Sequence, residues 1–127
     1  MEPNSIEIAI RDKAKEWIDE YGAEFLVELI GDYLDDAVTR VDRLRAAVAT
    51  GDAKTVMLEA HTLKSSSANL GAPGLSVIAR RLEEIGRDGD MTESVPYLER
   101  FEDEFAVVKA NLEELRDAPE AYIAREF

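Results

Sequence analysis

Val56-Met57-Leu58-Glu59-Ala60-His61-Thr62-Leu63-Lys64-Ser65-Ser66-Ser67-Ala68-Asn69-Leu70-Gly71 is the run that decides the fold. Val56, Ala60, Leu63, Ser67 and Leu70 recur at spacings of four, three, four and three. That is the period of one helix face, and a strand would need alternation instead. Gly71 ends the pattern. Pro73 suits the first turn of the next helix, where its fixed φ and missing N–H do no harm. The spacing predicts a helix over residues 53–70, with Asp52 as its N-cap.

Outward from this run the same period repeats. Before it, Leu26, Ile30, Leu34, Ala37, Val41, Leu44 and Val48 define a long helix over 23–50, and Gly51 suits its C-terminus. Earlier still, Ile6, Ile10, Ala14, Trp17 and Ile18 share one face of a first helix over 5–20, which Ser5 can cap. After the run, Leu75, Ile78, Leu82 and Ile85 mark a fourth helix stopping near Gly89. Leu98, Phe101, Phe105, Val108, Leu112 and Leu115 mark a fifth, starting at Thr92 or Ser94 and closed by Pro119. Four long amphipathic helices with short connections predict an all-α antiparallel four-helix bundle, with an additional short N-terminal helix as a lid. The bundle spans about residues 5–116 of a single domain covering 1–127. In the tail 117–127, Tyr122, Ile123 and Phe127 leave two readings open, docking back or fraying.

Composition excludes whole classes of function. The 127 residues carry a net charge of −13, so phosphate backbones and anionic lipids are repelled, and neither nucleic acid nor membrane is expected as a partner. There is no cysteine, hence no disulfide, thiolate nucleophile or cysteine-bound metal. His61 is the one histidine, which excludes any site built on two imidazoles. No apolar stretch is long enough to span a bilayer, and Met1-Glu2-Pro3-Asn4 shows no start of a secretory signal, so a cytoplasmic protein is expected.

At about 100° per residue, His61 points roughly 140° away from the core stripe of its helix. Lys64 lies on the flank of the same surface. Ser65 and Ala68 also face outward and leave room for another molecule to approach. Lys54 and Leu58 project outward with Met57 on the flank, and the apolar pair hints at a docking surface. An exposed imidazole is a good nucleophile near neutral pH, and a nearby lysine offsets charge on an anion held there. The constellation suits transient covalent attachment of a phosphoryl group. The fourth helix places Ser76, Arg80, Glu83 and Arg87 in one exposed stripe. The Glu/Asp runs, such as Glu102-Asp103-Glu104, read as solvated faces.

The segment His61-Thr62-Leu63-Lys64-Ser65-Ser66-Ser67-Ala68-Asn69-Leu70-Gly71 resembles the signature of histidine-containing phosphotransfer (HPt) domains, His-x-Leu-Lys-Gly-small-small followed by an apolar residue and glycine. The run Ala79-Arg80-Arg81-Leu82-Glu83-Glu84-Ile85-Gly86-Arg87-Asp88-Gly89-Asp90 is similar to that family's next helix. The resemblance implies that His61 accepts a phosphoryl group and that Lys64 stabilises it. The donor would be the aspartyl phosphate of a response-regulator receiver or hybrid kinase, and the acceptor another receiver. Such a protein is a covalent carrier, expected as a monomer, without kinase activity or cofactor of its own; the Mg²⁺ would sit in the partner receiver. The resemblance also implies partner contacts at Glu83, where a glutamine is common, and at Arg87, alongside Met57, Leu58, Ser65 and Ala68. Ser65 departs from the pattern, standing where glycine is usual, and its hydroxymethyl group sits in the clearing beside His61. Two other readings of the same resemblance are a receiver-binding module without transfer, and the phosphoacceptor segment of a chemotaxis-type kinase. No glycine-rich phosphate loop is present for ATP.

Overall fold

A computed structural model describes residues 5–126 of the chain. Six helices follow one another: α1 (Ser5–Tyr21), α2 (Ala23–Thr50), α3 (Ala53–Asn69), α4 (Pro73–Asp88), α5 (Ser94–Asp117) and α6 (Pro119–Ile123). Helices α2 to α5 form the bundle, each packed on its neighbours in chain order, with α5 closing against α2. The predicted stripes are its core: Leu26, Ile30 and Leu44 of α2, Val56 and Leu63 of α3, Leu75 and Leu82 of α4, and Phe101 and Leu112 of α5 are all buried.

Two expectations about the ends are corrected. The N-terminal helix is not short: α1 has 17 residues, as many as α3, because its apolar face lies along α2 and α5 rather than capping one end. Ser5 is the first residue of α1 rather than its cap, and its Oγ has no partner among the described residues. Of the two readings of the tail, docking is the one observed. It forms α6, Tyr122 is 1% exposed, and its hydroxyl donates to Asn111 Oδ1 at 2.8 Å. Phe127 lies outside the described residues.

The rotation of α3 about its axis decides where His61 points, and several contacts fix it. Asp52 caps α3, accepting from the Thr55 N–H at 3.2 Å and the Thr55 hydroxyl at 2.7 Å. On the core side Ser67 Oγ and the Tyr33 hydroxyl of α2 are hydrogen-bonded at 2.9 Å. On one flank Arg40 of α2 donates to Glu59 at 3.1 Å. At the far end Trp17 Nε1 of α1 donates to the Asn69 carbonyl at 2.8 Å. There Gly71, at φ +85°, turns the chain beneath α1, and a Cβ would stand 2.7 Å from Lys13 Cβ. Both the left-handed φ and the contact demand glycine.

Helices α3 and α4 share the most extensive interface in the molecule. Their backbones meet at Gly86, where a Cβ would stand 2.6 Å from the Ala53 carbonyl oxygen and 2.6 Å from Met57 N. Ser76 of α4 donates to the Lys64 carbonyl at 2.8 Å further along the same seam.

Candidate functional site

Close approach at Gly86 brings the next turn of α4 against the outward face of α3. Glu83 lies one turn before Gly86 and reaches the imidazole of His61, one turn beyond Met57. Its Oε2 is 2.8 Å from His61 Nδ1 and 2.9 Å from Arg87 Nη2. Its Oε1 accepts from Lys64 Nζ at 2.7 Å. Three nitrogen donors therefore converge on one carboxylate.

The Glu83 side chain is 5% exposed, whereas that of His61 is 62% exposed. A buried carboxylate resists ionisation, yet Glu83 is held below the usual carboxylate range. The Lys64 hydrogen bond is the largest cause; burial opposes it, and the His61 hydrogen bond reinforces it. An ionised carboxylate only accepts hydrogen bonds. The atom facing it, His61 Nδ1, consequently carries the ring proton. The lone pair is left on Nε2, the ring's other nitrogen.

The expected exposed stripe on α4 is corrected at Glu83. Arg80 and Arg87 are exposed and Ser76 is half-buried, but Glu83 is buried, because Lys64, Arg87 and the imidazole lie over it. It is the hub of the cluster and offers little surface to another molecule. Lys64 is also placed differently from the simplest expectation: its ammonium is paired with Glu83 on the Nδ1 side of the ring. Leu58 is 52% exposed, and Ser65 and Ala68 are exposed on the same helix. Met57 is half-buried, with its backbone against Gly86 of α4, not under α1. The surroundings of His61 thus combine small, apolar and cationic side chains in a chain that is otherwise strongly acidic.

Sequence periodicity did not reveal the Tyr33–Ser67 and Trp17–Asn69 contacts that orient α3. One signal for the hub was present: Glu83 and Arg87 are four apart, the spacing of a helical ion pair. Among the described residues no group of three or more His, Asp or Glu could hold a metal ion. No described helix is long and apolar enough to cross a membrane.

Residues 28–118, which cover most of α2 and all of α3 to α5, match the Hpt domain family. Among solved structures, the chain is similar to histidine-containing phosphotransfer protein B (HptB) from Pseudomonas aeruginosa PAO1. The two share 29% identity with a TM-score of 0.77, over 84% of this chain and 91% of that one. Comparison with curated proteins returns no match.

Proposed function

The chain belongs to the Hpt domain family, carriers of phosphoryl groups in two-component signalling, and on that premise we propose that it accepts a phosphoryl group on His61 from a receiver-domain or hybrid-kinase aspartate and passes it to another receiver. The observation that carries this reading is the exposed imidazole whose Nδ1 is bonded to a buried carboxylate at 2.8 Å. With the proton on Nδ1, Nε2 has a free lone pair, and no base has to remove a proton before attack.

The step balances without an added reagent. The Nε2 lone pair attacks phosphorus of the donor's aspartyl phosphate, and the N–P bond forms. The P–O bond to the aspartate breaks, its electron pair leaving with the carboxylate. Onward transfer reverses this: the acceptor's carboxylate attacks phosphorus, and the N–P electrons return to Nε2. Lys64, half-exposed beside the ring, offsets charge on the phosphoryl oxygens by exchanging its Glu83 contact for one with the incoming group. The divalent cation such transfers use belongs to the partner's acidic pocket, and no step here is routed through it. Ser65, Ala68 and Leu58 form the clearing into which the receiver docks, with Met57 and Arg87 at its edges.

The test is to incubate the protein with phosphorylated receivers and follow the label. Transfer to wild type and none to His61→Gln is the expected result. Label on the variant would assign the acceptor elsewhere.

A further inference from the structure

Glu83 is a fixed negative charge beside the nitrogen that does not react. The charged groups in contact with it are Lys64 from α3 and Arg87 from α4. Among the described residues no charged group of α5, the other helix packed on α4, is paired with it. Both cations stabilise the carboxylate as an ion, so it remains an acceptor whatever happens at Nε2. That has a consequence for the phosphorylated ring.

Once Nε2 carries a phosphoryl group, the ring can exist with or without a proton on Nδ1. Without it, the bare Nδ1 lone pair would face Glu83 Oε2 across the 2.8 Å now occupied by a hydrogen bond. Two acceptors would then oppose each other in a site closed to water, which is strongly unfavourable. With the proton retained, the contact is a charge-assisted bond from a cationic ring. The two forms differ in chemistry as well. Phosphoryl leaving a protonated ring leaves neutral imidazole behind, whereas phosphoryl leaving an unprotonated ring must expel imidazolate, a far poorer leaving group.

We propose that Glu83 keeps the Nδ1 proton on His61 throughout the phosphorylated state, so that the phosphoryl group departs without first waiting for a proton from solvent. Glu83 is on this account a positioning residue acting through His61, and it makes the carrier's phosphoryl group readily released over a wide pH range. The inference rests on His61 being the acceptor. In hydrolysis, water attacks phosphorus, the N–P electron pair returns to Nε2, and the water's protons leave with phosphate or to solvent. The Nδ1 proton never moves.

Glutamine at position 83 removes this constraint, because its amide can accept from a protonated Nδ1 through oxygen or donate to a bare one through nitrogen. The experiment phosphorylates the full chain with phosphoramidate, a small donor that needs no partner protein, and follows phosphate release by ³¹P NMR across pH. Wild type should release phosphate at a rate that stays flat from about pH 6 to about pH 8, the window in which an imidazole proton is ordinarily lost. Glu83→Gln should fall by up to about tenfold per pH unit at the alkaline end. Superimposable profiles would overturn the role of Glu83 while leaving His61 as acceptor. Failure of phosphoramidate to label His61 in wild type would overturn the acceptor assignment and this inference with it. Should Glu83→Gln not fold, ¹⁵N NMR of the phosphorylated wild-type ring decides alone. A protonated Nδ1 at about pH 8 is the expected result, and a bare Nδ1 there would refute the proposal.

Discussion

Gly86 and Met57 lie in backbone contact: a Cβ on Gly86 would stand 2.6 Å from Met57 N and 2.9 Å from its Cα. Neither neighbour is the flexible end of a side chain, so any larger residue must push α3 and α4 apart. Glu83, one turn away on α4, would move with it. Gly86→Ala is therefore expected to destabilise the fold even though alanine favours helix by about 1 kcal/mol. Overpacking of about 1–3 kcal/mol opposes that gain. A thermal melt should show a lower Tm, and transfer to His61 should slow as the His61–Glu83 bond lengthens. A variant as stable and active as wild type would show that the seam yields freely.

Label transferred from a phosphorylated receiver should be acid-labile and base-stable, as a phosphoramidate is, and should be absent in His61→Gln. The protein has a single imidazole, so one variant tests the assignment completely. An acid-stable product would indicate a serine, threonine or tyrosine ester instead.

Lys64→Ala should slow transfer while leaving the bundle folded. Lys64 lies off the core stripe, and Glu83 keeps His61 and Arg87 as partners. Loss of one charge-assisted contact in the transition state is worth about 1–3 kcal/mol, or roughly 5- to 150-fold in rate. Single-turnover kinetics at saturating receiver would measure it, and an unchanged rate would remove Lys64 from the mechanism.

Ala68→Arg should block receiver binding by bulk without unfolding the protein, since the exposed position places the new side chain in solvent. Ser65→Gly should be tolerated for function, open the clearing, and lower helix stability by about 0.5–1 kcal/mol. A binding titration beside a thermal melt separates the two effects. Normal affinity in folded Ala68→Arg would place docking on another face and withdraw Met57, Leu58 and Ala68 as contacts.

Burial pushes the phenols of Tyr33 and Tyr122 from 10.0 up to about 12. A raised folded-state value means that the contribution is fully present below the unfolded value of 10.0 and is lost as pH rises through about 12. Denaturant unfolding should show stability falling above about pH 10, with a slope of up to about 1.4 kcal/mol per pH unit for each phenol. Tyr33→Phe and Tyr122→Phe should each flatten that fall while lowering stability at neutral pH, because Ser67 and Asn111 lose a partner. An unaltered alkaline slope in both variants would assign it to the lysines and arginines.

The order and approximate extent of α2 to α5, the buried stripes, the glycine and proline boundaries and the outward direction of His61 were all legible in the sequence. Each is a local property. A helix repeats every 3.6 residues, so the residues that bury one face also determine which residues point away from it. Asp52 and Gly51 could be read as caps for the same reason, because their partners lie within one turn.

Tertiary structure alone decided what no single-helix period contains. Glu83 and Arg87 belong to one outward stripe on α4 by their own periodicity, yet Glu83 is buried and Arg87 is exposed. The difference depends on how closely α4 approaches α3, which Gly86 sets, and on donors that arrive from position 61 and position 64 of another helix. The docking of Tyr122 likewise required Asn111 of α5 to meet it. Helical periodicity aims side chains from the axis of their own helix; the distance and rotation between two axes follow from interlocking side chains far apart in the chain. That packing turned an exposed histidine into one with a defined proton position.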